Sequence, residues 1–211
     1  MLFFGNPTLE TIIGVLLAAL IGMTVHEFAH NYVAHLMGDP VPAREGRLTL
    51  DPSVHIYWPG FIMFVLIGFG ILGSAPIAAH RMRNPRWGYL AAVAAGPISN
   101  LLLAIVFGIV FRLFTFLPPT ILGVLFWIVI FNILLFLFNL LPLFPLDGWH
   151  MVYSLLPPEQ AIWWQRNAQT TQIIFLGLIL LSFFPILPPA LDPFRYLISE
   201  PLNFLANLIL G

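Results

Sequence analysis

Cysteine and lysine are both missing from this chain. Without cysteine there is no disulfide, no thiolate metal site and no thiol nucleophile. Charge is scarce as well: charged residues make up 8%, all 8 basic residues are arginine, and the formal net charge is −1. No basic tract offers itself to nucleic acid. No Gly-x-Ser-x-Gly run occurs, so a serine nucleophile has no support. No internal repeat is visible, which argues against a transporter built from duplicated halves. The N-terminus has neither a basic region nor a small-residue cleavage site. Leu9–Val25 is therefore expected to stay as a helix rather than to be removed as a signal peptide.

What is abundant is hydrocarbon: 60% of the residues are hydrophobic and the mean hydropathy is +0.95. A soluble domain of this size does not have that composition, whereas a polytopic membrane protein does. The expectation is an all-α membrane protein forming a single domain over residues 1–211. It should have about five to six transmembrane segments, with a broken helix at its active site. The core is expected over residues 9–156, with further C-terminal transmembrane helices over residues 170–210.

The first helix should run from Leu9 to Met37 and stop at Gly38-Asp39-Pro40. Val41–Ser53 carries Arg44, Glu45, Arg47 and Asp51 and must reach water, with Arg47–Leu50 as a short strand. Tyr57–Ala75 is apolar, close to the minimum length for a span and interrupted by glycines. Arg44 and Arg47 precede it, and Arg81, Arg83 and Arg86 follow it. Basic residues favour the cytoplasmic side. With both flanks there, the segment enters and leaves on one side; a short plain spanning helix is the alternative. Trp87–Phe114 and Thr120–Leu141 are the next helices, and Asn100 inside the first of them needs a partner in the bundle. Pro142 and Pro145 then break the second. Pro157–Arg166 reads as a polar connector whose Trp163 and Trp164 suit the headgroup level. Thr170–Phe184 and Phe194–Leu210, separated by Pro185–Pro193, close the chain and cover the core without catalytic residues.

The chemistry gathers around His26-Glu27-Phe28-Ala29-His30, at the end of the first apolar run. Positions four apart on a helix share a face, so His26 and His30 offer nitrogens to one point. Glu27 lies beside that point as a general base. The bland alternative is two satisfied core histidines in a chance pentapeptide. Hydrocarbon makes that alternative costly, because polar groups there need partners. Two histidines leave a zinc ion one protein ligand short of the usual catalytic three. Glu10 is far up the same helix, and Asp39 and Glu45 lie in the polar loop with nothing to aim them back. Asp147 is the acid in the helix break and is the expected third ligand; capping of the next helix is its structural alternative. Glu27 would take a proton from water and pass it to the leaving amine. An amide such as Asn139 would stabilise the oxyanion.

His26–His30, Gly38-Asp39-Pro40 and Gly46-Arg47-Leu48-Thr49-Leu50-Asp51-Pro52 resemble the site-2 protease family of intramembrane zinc metalloproteases. Gly96-Pro97-Ile98-Ser99-Asn100 is similar to a second patch of that family. Asn139-x-x-Pro142-x-x-x-Leu146-Asp147-Gly148 is similar to a third. The resemblance implies one zinc per chain on His26, His30 and Asp147, with Glu27 as base and Asn139 near the substrate carbonyl. It also implies an endopeptidase that cuts transmembrane helices of membrane-protein substrates, from a prokaryotic cell membrane, with its active site nearer the cytoplasm. The lipid bilayer is then a partner, and a regulatory membrane partner is expected but not named. No PDZ or CBS domain is seen, so the chain resembles a minimal form. Gly73-Ser74-Ala75-Pro76-Ile77 departs from relatives that carry Trp and Lys there, which puts a substrate-strand role for this stretch in doubt. The alternative is a metal-binding membrane protein without peptidase activity, a zinc carrier or inactive homologue. A carrier should show several ligand sets, and an inactive homologue has usually lost Glu27.

Overall fold

Apolar length decides the framework. In the computed structural model, which describes residues 7–68, 70, 73, 75–183, 188 and 192–211, three helices are long and apolar enough to cross a bilayer. They are α1 (Leu9–Leu36), α5 (Pro85–Leu113) and α6 (Pro119–Asn139). Thr8 caps α1 through its hydroxyl, which accepts from the Thr11 N–H. Asn84 caps α5 in the same way toward Trp87. Proline opens both α5 and α6, where the missing N–H costs nothing. The three helices pack on one another pairwise. Val15, Ala18, Ala19 and Met23 of α1 meet Ile128, Phe131 and Leu135 of α6 in the main apolar cluster.

One polar knot ties the three helices together. The Asn100 amide of α5 donates to the Gly22 carbonyl of α1 at 3.1 Å and to Asn132 Oδ1 of α6 at 3.0 Å. Asn132 in turn donates to the Ile128 carbonyl at 2.8 Å. Both asparagines are fully buried. Such interhelical bonds contribute about 0.6–2 kcal/mol each in a bilayer.

The loop after α1 departs from expectation. Val41–Arg44 (α2) and Pro52–His55 (α3) are single helical turns, and no strand forms at Arg47–Leu50. The Thr49 carbonyl there accepts from His55 Nε2 at 2.6 Å, so the stretch bends around a side chain instead of pairing. Asp39, expected at the water, is fully buried. It accepts from the Val41 N–H at 3.0 Å and the Ala78 N–H at 2.6 Å, stitching the end of α1 to a distant loop.

The segment between the arginine groups folds back on itself. Trp58–Ile67 (α4) has 10 residues, about 15 Å of rise, half the thickness of a hydrocarbon core. Gly68 ends it at φ 82°, and Ile56 pairs with Gly73 in an antiparallel bridge. Residues 69, 71, 72 and 74 of this stretch lie outside the described residues.

After α6 the chain unwinds from Leu140 to Leu146, where Pro142 and Pro145 supply no N–H, and restarts as α7 (Asp147–Leu155). The expected polar connector is a helix, α8 (Pro158–Arg166), opened by proline, with Glu159 in its first turn and Arg166 in its last. The Trp164 indole donates to the Trp149 carbonyl at 3.1 Å and holds α8 on α7. α9 (Ala168–Phe183) follows, and a π-helical turn at Arg195–Ser199 leads into α10 (Glu200–Leu210), which packs on α6 and α5. These last two helices have 16 and 11 residues. Most of the expected Pro185–Pro193 connector lies outside the described residues.

Candidate metal centre

Two turns of α1 and the first residue of α7 build the site. His26 and His30, four apart, present Nε2 atoms 2.9 Å from each other. Asp147 Oδ2 is 3.1 Å from the first and 3.3 Å from the second. Asp147 is the first residue of α7, where Leu146 occupies the cap position, so its carboxylate is free to face α1. The two histidines are 3% and 4% exposed. Their rings meet edge to face, with centroids 4.5 Å apart.

Hydrogen accounting shows what these three atoms lack. His26 Nδ1 is 2.7 Å from Asn100 Oδ1, and His30 Nδ1 is 2.8 Å from the Ala92 carbonyl. Both partners are acceptors, so both Nδ1 atoms must donate. The orientation of Asn100 is itself fixed, because its amide nitrogen faces Gly22 and Asn132. In neutral imidazoles each Nε2 then carries a lone pair only. Two lone pairs and a carboxylate oxygen converge with no hydrogen among them, and buried Asp147 Oδ2 has no hydrogen-bond donor. A cation resolves that conflict. Tetrahedral zinc with bonds near 2.0–2.1 Å needs ligand atoms roughly 3.3 Å apart, close to the spacings seen. His26, His30 and Asp147 therefore fit a His2Asp metal site, and among the described residues they are the His and acid side chains grouped to hold an ion. Asn100 and Ala92 act as the outer partners that fix ring tautomer and direction.

Close packing against α5 is what lets the rings sit there. A Cβ at Gly96 would collide with His30 Nε2 and His26 Cε1. The glycine gives both imidazoles their room.

Glu27 is buried in the wall of a cavity of about 400 Å³ that also holds His26, His30 and Asp147. Its Oε2 has no hydrogen-bond partner among the described residues. Gly73 lies on the other oxygen: a Cβ there would come within 2.6 Å of Oε1. The returning segment after α4 thus covers the carboxylate. Asn139 also lines the cavity, at the last residue of α6, and its amide donates back to the Leu135 carbonyl at 3.0 Å.

Sequence reasoning missed other residues of this cavity. Tyr89, His150 and Gln172 line it. Gln172 comes from the stretch expected to hold no site residues. His150 follows Asp147 by three positions, a helical spacing that was available as a signal. His55 is buried. Asp39, Glu45, Asp51 and Glu10 are not grouped with the histidines.

The chain is 35% identical over 153 residues to "Putative zinc metalloprotease YwhC" of Bacillus subtilis (strain 168), an alignment covering 68% of this chain and 69% of that protein. No family model matches the chain. No solved structure matches it.

Proposed function

Given that the chain belongs to the same family as that Bacillus subtilis protein, we propose that it is a zinc metalloendopeptidase of the site-2 protease type, cutting transmembrane segments. The observation that carries this reading is the convergence of His26 Nε2, His30 Nε2 and Asp147 Oδ2 with no hydrogen between them, beside a buried carboxylate with no other task. A zinc ion held by these three residues supplies Lewis-acid polarisation of water and of the scissile carbonyl. Glu27 accepts the proton that the attacking water loses and returns it to the leaving amine as the C–N bond breaks. Its burial keeps it out of competing ion pairs, and Gly73 keeps it in place. Asn139, on the cavity wall, is suited to orient the substrate backbone.

The substrate class follows from the setting. The site lies toward the C-terminal end of an apolar helix long enough to cross a bilayer, so the peptide that reaches it comes from within or beside the membrane. Arg83, whose N–H donates to the Met37 carbonyl at 3.0 Å, lies at the same end of α1 as the loop that carries Arg44 and Arg47. That clustering supports the cytoplasmic side for this end of the molecule, and the cell membrane as its location. The fuller count of five to six segments, α4 re-entrant and α9 and α10 within the bilayer, belongs to the same reading.

The test uses purified protein with zinc and a panel of transmembrane peptides, with and without chelator. Cleavage is expected with zinc, is lost with chelator, and returns on zinc addition. Glu27→Gln should keep its zinc and lose about 100-fold or more of turnover. Zinc binding without cleavage of any peptide would favour the non-proteolytic metal-binding reading instead.

A further inference from the structure

Tyr89 and His150 stand in the same cavity as Glu27 and Asp147 and hold neither the metal nor the moving proton. Tyr89 lies near the start of α5, and His150 lies three residues beyond Asp147 on α7. Positions three apart on a helix share a face, so the short helix that presents the Asp147 carboxylate also carries the imidazole to the cavity. The Tyr89 hydroxyl is 2.9 Å from His150 Nδ1. Phe144 and Trp149 pack on the imidazole, with ring centroids 6.2 and 4.9 Å away.

Counting hydrogens fixes what this pair can offer. A phenol brings one hydrogen and a neutral imidazole brings one. A single bond between them uses one and leaves the other. With the phenol donating to Nδ1, the hydrogen left over is on Nε2, which makes no hydrogen bond among the described residues. Two other donors at the cavity are used within the protein, the Nδ1 hydrogens of His26 and His30 going to Asn100 and Ala92, and one of the two Asn139 amide hydrogens goes to Leu135.

Peptide hydrolysis needs a hydrogen of this kind. As the water oxygen bonds to the carbonyl carbon, the carbonyl π pair moves onto its oxygen, which becomes anionic and draws in donors. As the C–N bond breaks, that pair re-forms the carbonyl, and the amine takes the proton that Glu27 removed from water. The donor keeps its own proton throughout. We infer that His150 is a further catalytic residue, its Nε2–H donating to the substrate carbonyl oxygen, with Tyr89 as the positioning residue that holds this tautomer. The inference rests on the peptidase reading above.

Zinc-loaded parent and variants are compared in lipid nanodiscs on a fluorophore–quencher transmembrane peptide, with zinc content and thermal midpoint measured alongside. His150→Ala should keep its zinc and its KM and lose about 100-fold in kcat. His150→Gln, whose amide also carries hydrogens, should recover about tenfold of that loss, and Tyr89→Phe should lose about tenfold. Independently of activity, ¹⁵N NMR of the metal-free protein should find His150 with its hydrogen on Nε2, and a mixture of tautomers in Tyr89→Phe. Parent-level kcat in His150→Ala overturns the inference while leaving the peptidase reading intact. A loss explained by missing zinc or a lowered midpoint and not eased in His150→Gln, a change in KM alone, or an Nδ1–H tautomer in the parent also overturns it. A zinc-loaded parent that cleaves nothing overturns the peptidase reading, and this inference with it.

Discussion

Two aspartates of this chain stand next to helix ends, one buried and one half-buried, and what meets them is opposite. Asp39, just after α1, is met by donors: the Val41 and Ala78 N–H groups each find one of its oxygens. Asp147, opening α7, is met by the Nε2 atoms of His26 and His30, which in neutral imidazoles bring lone pairs. The first carboxylate is complete within the protein and acts as a stitch between loops. The second finds no hydrogen-bond donor for its Oδ2 among the described residues, and a cation would complete it. Burial of an acid alone therefore does not mark a site; what marks it is a group whose neighbours cannot satisfy it. The amide knot at Asn100 stands on both sides of this divide. Its nitrogen serves the bundle through Gly22 and Asn132, and its oxygen serves the site through His26.

The largest test of this contrast exchanges the two acids for alanine. Asp147→Ala should lose stoichiometric zinc and, with it, detectable cleavage, while the protein stays folded. Asp39→Ala should keep zinc at the parent's stoichiometry and lose stability instead. Two part-buried N–H groups would lose their acceptor there, at about 1 kcal/mol each. Metal analysis and thermal unfolding on the same preparations separate the two outcomes. Zinc lost from Asp39→Ala and retained in Asp147→Ala would reverse the assignment.

A smaller effect is expected where the two regions join. Asn100→Leu removes the acceptor that holds the His26 ring and the donor that ties α1 to α6. Loss of an outer-shell partner of this kind weakens metal binding about 10–100-fold. Competition with a zinc-binding dye measures that shift. Asn132→Leu breaks the bundle bond and leaves His26 its partner, so zinc affinity should stay near the parent's while the unfolding midpoint falls. Equal zinc affinity in both variants would mean that Asn100 serves the bundle alone.

How legible these features are depends on how far apart their partners lie. His26 and His30 were readable because a helix brings positions four apart to one face, whatever surrounds it. The break at Pro142 and Pro145 was readable because proline lacks the donor a helix needs. Asp39 was not, since the Ala78 N–H that completes it comes 39 residues later and nothing local announces it. The Ile56–Gly73 contact after α4 is not readable, because it depends on the tertiary fold. α8 reads as a connector in the sequence because its polar residues mask a helix that one indole holds on α7. Tyr89 and His150 could not be paired from sequence, being 61 residues apart.

The smallest effect belongs to a third aspartate that sharpens the comparison from outside. Asp51 is exposed and caps α3, its carboxylate accepting from the Ser53 N–H at 2.9 Å. That backbone hydrogen bond holds its carboxyl below the usual aspartate range. A carboxyl whose pKa is lower in the folded chain stabilises the fold above its unfolded pKa, about 3.9. That contribution disappears as pH falls through the lower folded value. Asp51→Asn should therefore shift the unfolding midpoint slightly at neutral pH, and less still in acid. Zinc content and cleavage should match the parent's, because Asp51 is not grouped with the histidines. Thermal unfolding at neutral and acid pH, with zinc analysis, checks both statements. A midpoint loss that grows in acid would show that the carboxylate is not what caps α3. Loss of zinc in Asp51→Asn would show that an exposed, hydrogen-bonded acid reaches the metal, and the contrast between Asp39 and Asp147 would then fail as a way of recognising the site.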